Sequence, residues 1–218
     1  MDAQWEPLFE RLLMSHMDGD AAHDLQHIRR VVTNAHRLCL AENADESVVV
    51  PAAWLHDCVT VPKTSPNRKK ASRMAADQAV IWLEENHWPH DNLRAIAHAI
   101  EAHSFSAGIP AETLEAKVVQ DADRLDALGA IGLARTLMLG ATMQRELYHP
   151  EDPFASCRAA DDSIYTIDHL YCKLLTLEST MQTATGREEA KQRTIYLRSF
   201  LAQLEREISN EPAVNELK

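Results

Sequence analysis

The chain has 218 residues, 45% of them apolar and 25% charged, which is enough to bury a core without disulfides or a structural metal. Its net charge of −11 argues against a protein that holds nucleic acid across its whole surface. The cysteines (Cys39, Cys58, Cys157, Cys172) show no C-x-x-C and no regular spacing, which argues against a disulfide frame or zinc knuckle.

The start, MDAQWEPLFERLL, is acidic and amphipathic and lacks the basic and apolar parts of a signal peptide. No apolar run reaches the length of a membrane span. The expectation is a cytoplasmic protein with reduced thiols and no membrane or nucleic-acid partner.

The elements follow one another as helices. Residues 4–17 place Trp5, Leu8, Leu12 and Leu13 on one face. Residues 24–41 repeat apolar positions at Ile28, Val31, Val32, Ala35, Leu38 and Cys39. Residues 47–56 are nearly all apolar; Val48 to Val50 suit a strand, but Pro51 argues against a central one and suits a helix beginning nearby. Residues 72–86 and 92–103 are two further helices. Residues 112–143 read as one long apolar stretch in which Gly129, Gly132 and Gly140 allow close packing or mark a break. HPEDPF is a loop, and residues 161–181 and 187–208 read as two helices separated at Gly186. The tail SNEPAVNELK reads as frayed. The pattern predicts an all-α protein of eight to ten helices, one compact domain over 1–218. Its core covers about 21–130 and a C-terminal helical extension about 145–208.

Three His-Asp pairs occur, His23-Asp24, His56-Asp57 and His90-Asp91, spaced by 33 and 34 residues. Their flanks share nothing else, so they are no repeat. Asp91 follows Pro89 and precedes a helix, which suits an N-cap, and Asp24 suits a cap or a partner that orients a ligand. His56-Asp57 differs because it ends a segment that should be buried, where a carboxylate is costly unless paired or bound to metal. His27 lies on the helix before, and Asp123 sits in VVQDADRLDALGAIG. Two imidazoles and two carboxylates from three helices can hold one divalent ion and leave positions open for water and substrate. Mixed nitrogen and oxygen ligands suit manganese, iron, magnesium, nickel or zinc.

The order His27, His56-Asp57, Asp123 resembles the HD-domain superfamily of metal-dependent phosphohydrolases. The stretches HDLQHIRRV, AWLHD, AHAIEAHSFS and DADRLDALGAIG look like a bacterial branch that includes nucleoside triphosphate pyrophosphohydrolases. The resemblance implies an HD-domain helical bundle, with His27, His56, Asp57 and Asp123 as ligands of one divalent ion, manganese favoured. It makes Asp121 and Asp126 second-tier or helix-surface residues. Asp121 is roughly 200° around the helix from Asp123, so both cannot face one ion equally.

Nucleotidase relatives carry a glutamate three residues after the HD aspartate. Here that position is Thr60, so proton transfer falls to Asp57, His98 or His103. A basic run follows, of which Lys63, Arg68 and Ser72 are the substrate-binding candidates, with a solvated loop as the plainer reading. Asp168, His169 and Lys173 form a further polar cluster on the extension. The implied activity is hydrolysis of a small-molecule nucleotide, with a nucleoside triphosphate pyrophosphohydrolase first. The alternatives are a phosphomonoesterase or phosphodiesterase on a nucleotide, or a catalytically silent nucleotide-binding sensor, as monomer or homodimer.

Overall fold

The computed structural model describes residues 5–14, 25–59, 61, 65, 68–104 and 107–209. They form the helices α1 (Trp5–Met14), α2 (Leu25–Glu42), α3 (Glu46–Leu55), α4 (Ala71–Glu85), α5 (Leu93–His103), α6 (Leu114–Asp126), α7 (Gly129–Thr142), α8 (Asp168–Cys172) and α9 (Ala184–Ser209). Short 3-10 turns lie at Arg68–Lys70 and Leu174–Thr180. Among the described residues there is no strand, only an isolated bridge between Glu146 and Tyr165, so the all-α expectation holds. No single helix among them is long and apolar enough to cross a membrane.

The chain divides into two compact units. The first comprises residues 1–126 and 180–188, the second 127–179 and 189–218. In the first, α2 buries Ile28, Val31, Ala35 and Leu38 along one stripe, as its period dictates. Ile28, Val31 and Leu38 each contribute on the order of 1.5–3 kcal/mol when fully buried. α3 is buried from Val48 through Leu55, which makes it the central helix of this unit. Asp45 caps it by accepting from the Ser47 N–H at 2.9 Å.

Pro51 lies inside α3 rather than at its start. A proline offers no N–H to the carbonyl one turn earlier, that of Ser47. That carbonyl accepts instead from the Asn92 side-chain amide at 3.2 Å, which also reaches Ser47 Oγ at 2.7 Å. The vacated bond thereby becomes a tie from α3 to the start of α5. Asn92, not Asp91, occupies the cap position of α5, and Asp91 is exposed. α1 closes over this end through Trp5, Phe9 and Leu13, with Trp5 edge-on to Trp88 at 4.6 Å between centroids.

The expected helix over 112–143 is two helices. Ala127 and Leu128 interrupt it, and Gly129 then adopts φ +66°, a conformation that suits glycine. The expected helix over 161–181 also does not form as a whole; only α8 and a 3-10 turn do. Asp161 caps its own loop instead, accepting from Ser163 N–H at 3.0 Å. Gly186 does not separate helices but lies in the first turn of α9, where its missing Cβ leaves room for the Asp121 carboxylate. The tail 210–218 lies outside the described residues.

In the second unit, Asp168 is fully buried and accepts from both Arg158 Nη1 (2.5 Å) and Nη2 (2.8 Å), and from Asp161 N–H. It is the anchor of the loop 152–168. His169 pairs with Asp162 at 2.7 Å. Ile167, Leu170, Leu174 and Leu177 of this unit are buried.

Candidate metal centre

Four helices of the first unit bring their polar residues to one point. His27 lies on the buried face of α2, 3% exposed. His56 is the C-cap of α3 and is fully buried, with Asp57 next to it. Asp123 lies on α6, and His103 is the last residue of α5. α6 is held beside its neighbours by two buried amides. Asn34 of α2 donates to the Ala122 carbonyl at 3.4 Å, and Gln120 donates to the Ala102 carbonyl at 2.7 Å.

The imidazoles are all held from behind by Nδ1. His56 Nδ1 lies 2.8 Å from the Ala53 carbonyl and His103 Nδ1 2.6 Å from that of Ile100. His27 Nδ1 lies 2.7 Å from Asp126 Oδ2. Each Nε2 therefore turns toward the carboxylates. His27 Nε2 is 3.6 Å from Asp123 Oδ1 and 3.9 Å from Asp57 Oδ2. His56 Nε2 is 3.6 Å from Asp57 Oδ2 and 3.9 Å from Asp123 Oδ1. His103 Nε2 is 3.5 Å from Asp57 Oδ1.

The spacings around His27 and His56 are too long for hydrogen bonds and short enough for shared coordination, while His103 stands at the limit of a hydrogen bond to Asp57. Donors about 2.0–2.2 Å from a common ion lie roughly 3–4 Å from one another. Ligand atoms of His27, His56 and Asp57 are all within 4.8 Å of one another. His56 Nε2 is buried and has no hydrogen-bond partner. An orphaned nitrogen there costs about 1–3 kcal/mol unless something accepts its lone pair. A divalent cation does so, and the two carboxylates supply compensating charge; the residues fit the ion that the sequence implies. The side chains of Asp57 and Asp123 are 22% and 29% exposed, so one side of the cluster opens to solvent.

Burial pushes the His56 imidazole below its ordinary pKa, with Asp57 opposing and His103 reinforcing the shift. A neutral ring is the form that ligates. For His103, burial pulls the same way, but the Asp57 and Asp123 carboxylates and the Ile100 carbonyl outweigh it and raise the value. Two rings of one cluster are thus biased toward different protonation states.

The other candidates scatter. His98 is five residues before His103, roughly 140° around α5 at the helical period. Its Nε2 instead accepts from the Glu112 N–H at 3.2 Å, so it is a tie to the loop before α6. Ser72 is buried at the start of α4, and its Oγ has no hydrogen-bond partner. One turn on, the Ala75 carbonyl accepts from the Cys58 thiol at 3.3 Å, which brings this face of α4 to the residue after Asp57. Lys69, Lys70 and Arg73 are exposed. Thr60, Lys63 and the Arg68 side chain lie outside the described residues, as do His23 and Asp24.

Asp121 and Asp126 are both buried and perform distinct tasks, so neither is a helix-surface residue. Asp121 accepts from the backbone N–H groups of Gln182 (2.9 Å) and Thr183 (2.8 Å) and from the Thr183 hydroxyl (2.7 Å). It thereby fixes the cap of α9, where Thr183 Oγ1 accepts from the Gly186 N–H at 3.0 Å. Asp126 grips His27 and is itself held by Arg30. Arg30 was not legible as a site residue. The available signal was spacing: Arg30 is three residues after His27 and Asp126 three after Asp123, one turn along each helix.

Comparison with known proteins gives a consistent picture. Residues 24–128 match the HD domain family model. The uncharacterised protein YpgQ of Bacillus subtilis (strain 168) is 34% identical over 195 residues, which covers 88% of this chain and 87% of YpgQ. The crystal structure of Bacillus subtilis YpgQ in complex with ADP superposes with a TM-score of 0.70 at 30% identity, covering 92% of this chain and 97% of that one. An HD-superfamily hydrolase from Bacillus thuringiensis superposes with a TM-score of 0.70 at 31% identity, covering 94% and 99%.

Proposed function

This chain belongs to the HD-domain family, and from that premise we propose that it is a metal-dependent phosphohydrolase of nucleotides that splits nucleoside triphosphates into monophosphate and pyrophosphate. The observation that carries the metal reading is the buried, partnerless Nε2 of His56 facing two carboxylates. The ADP held by the similar YpgQ supports a nucleotide ligand. His27, His56, Asp57 and Asp123 would hold the ion. A divalent ion there supplies Lewis acidity toward phosphoryl oxygens and acidifies water.

The remaining work belongs to the chain's own groups. Asp57 turns one oxygen toward His56 and the other toward His103, 3.5 Å away, so Asp57 Oδ1 and His103 Nε2 are the pair placed to exchange a proton on closer approach or through one water. His103 is the group placed to hold a proton for a leaving oxygen, and His98 plays no part in that step. Ser72 Oγ is a neutral donor for a phosphoryl oxygen. Lys69, Lys70 and Arg73 are exposed around the start of α4 and are available to neutralise a polyphosphate tail, a role that the sequence also suggests for Lys63 and Arg68. In the reaction a water oxygen bonds to the α-phosphorus as its proton passes to Asp57, the bond from that phosphorus to the bridging oxygen breaks, and pyrophosphate leaves.

Product analysis tests this. The protein and Asp57→Ala are incubated with Mn²⁺ and a panel of nucleoside triphosphates, monophosphates and cyclic nucleotides, and pyrophosphate is resolved from phosphate. Pyrophosphate and monophosphate, absent with the variant, are expected. Orthophosphate from monophosphates would replace this reading with a phosphatase, and binding without turnover would replace it with a sensor.

A further inference from the structure

His27, Asp126 and Arg30 form a chain behind the metal-facing edge of the cluster. Asp126 Oδ2 lies 2.7 Å from His27 Nδ1. On its other side Arg30 Nε donates to Oδ1 at 2.6 Å and Nη2 to Oδ2 at 3.1 Å. Asp126 is 1% exposed, so the carboxylate is packed between an imidazole and a guanidinium. His27 and Arg30 belong to α2, and Asp126 ends α6.

We propose that Asp126, clamped by Arg30, is a positioning residue that keeps the His27 proton on Nδ1 and so leaves the Nε2 lone pair facing Asp57 and Asp123. The inference rests on the metal reading above. A carboxylate engaged by a guanidinium fork is an acceptor only. The imidazole nitrogen beside it must then be the donor, which fixes the tautomer. The other nitrogen, Nε2, is the one 3.6 Å from Asp123 Oδ1. Arg30 also occupies both oxygens of Asp126, which holds this carboxylate back from the cluster one turn away.

The sharp test is Asp126→Asn, which is nearly the same shape. An amide has one acceptor oxygen, and the shorter Arg30 bond, from Nε at 2.6 Å to the oxygen remote from His27, draws it there against the longer one from Nη2 at 3.1 Å to the oxygen shared with His27. The NH₂ then faces Nδ1 and forces the His27 proton onto Nε2, where no lone pair remains for a ligand. Asn is therefore expected to be at least as damaging as Ala, the reverse of the order that a packing role would give. In Arg30→Met/Asp126→Asn the amide is free to turn its oxygen to His27, and binding is expected to recover.

Two readouts decide it. Long-range ¹H–¹⁵N spectra of the metal-free protein show which nitrogen of His27 carries the proton. Mn²⁺ titration gives the affinity. The expected results are Nδ1–H in the wild type, Nε2–H in Asp126→Asn, and an affinity about 10–100-fold weaker in that variant with recovery in the double variant. Nε2–H in the wild type would overturn the proposal without any variant having to fold. So would Asp126→Asn binding Mn²⁺ as tightly as the wild type, or a double variant no tighter than the single one. If the wild type binds no Mn²⁺, the metal reading fails, while the proton position still decides the role of Asp126.

Discussion

Asp121 and Asp123 stand two residues apart, and the structure gives them opposite work. Asp121→Ala removes the acceptor of three donors, the N–H groups of Gln182 and Thr183 and the Thr183 hydroxyl. All three then lie beside a cavity where the carboxylate was fully buried. Bonds to a charged acceptor contribute about 1.5–3 kcal/mol each, and burying the carboxylate offsets part of that. The net loss expected is about 3–5 kcal/mol, the range for breaking a buried charged network. Against a total stability of about 5–15 kcal/mol this is severe. With a urea slope near 2 kcal/mol/M the midpoint should fall by about 2 M. Asp121→Asn keeps one acceptor oxygen and should lose roughly half as much. Urea denaturation monitored by circular dichroism measures the loss, and Mn²⁺ titration of the still-folded variant measures the site. Folded Asp121→Ala should bind the ion nearly as well as wild type. A midpoint unchanged from wild type, or Mn²⁺ affinity lost as completely as in Asp123→Ala, would refute the assignment.

Other expectations follow from single residues. Gly186→Ala places a methyl group against the Asp121 carboxylate and Thr183 Oγ1 and should cost about 1–3 kcal/mol in the same urea assay. The Glu42 carboxyl is held below its ordinary value, chiefly by the Thr185 N–H it accepts at 2.7 Å. A depressed carboxyl adds stability above its unfolded pKa, and that stability disappears as the pH falls through the folded value. Glu42→Gln should therefore lower the urea midpoint at neutral pH, by a difference that shrinks as the pH falls below about 4.5, so that its acid profile is the flatter one. Thiol labelling of the native protein should modify exposed Cys157 and Cys172 and spare buried Cys39 and Cys58 until urea is added. For Cys39, burial pushes the thiol up to about 11, so little thiolate is present at pH 8.

The periodic helices were legible because one stripe of each is buried. α2 and α5 agree with the expected spans to within a residue or so at each end. α3 was legible as apolar, but the position of Pro51 within it depends on Asn92, a partner 45 residues from Ser47 that no local pattern reveals. The break at Ala127-Leu128 was one of two meanings open to the glycines. The stretch 161–181 misled because its apolar spacing reports burial, whereas Asp161 and Asp168 spend their carboxylates on loop N–H groups and Arg158. At the site, the order of His27, His56, Asp57 and Asp123 pointed to residues that the fold does bring together. His98 and His103 could not be separated by sequence, because which one faces inward depends on the rotation of α5. Asp126 was visible only as one of three acids within six residues of α6, since its meaning comes from Arg30 on another helix.

The most direct measurement is the number of Mn²⁺ ions bound per chain by equilibrium dialysis, for wild type, His56→Ala and Asp123→Ala, each checked for helical content. The account predicts one tightly held ion in the wild type and none held tightly in either variant. An unloaded wild type, or an ion retained with undiminished affinity when His56 or Asp123 is removed, would contradict it.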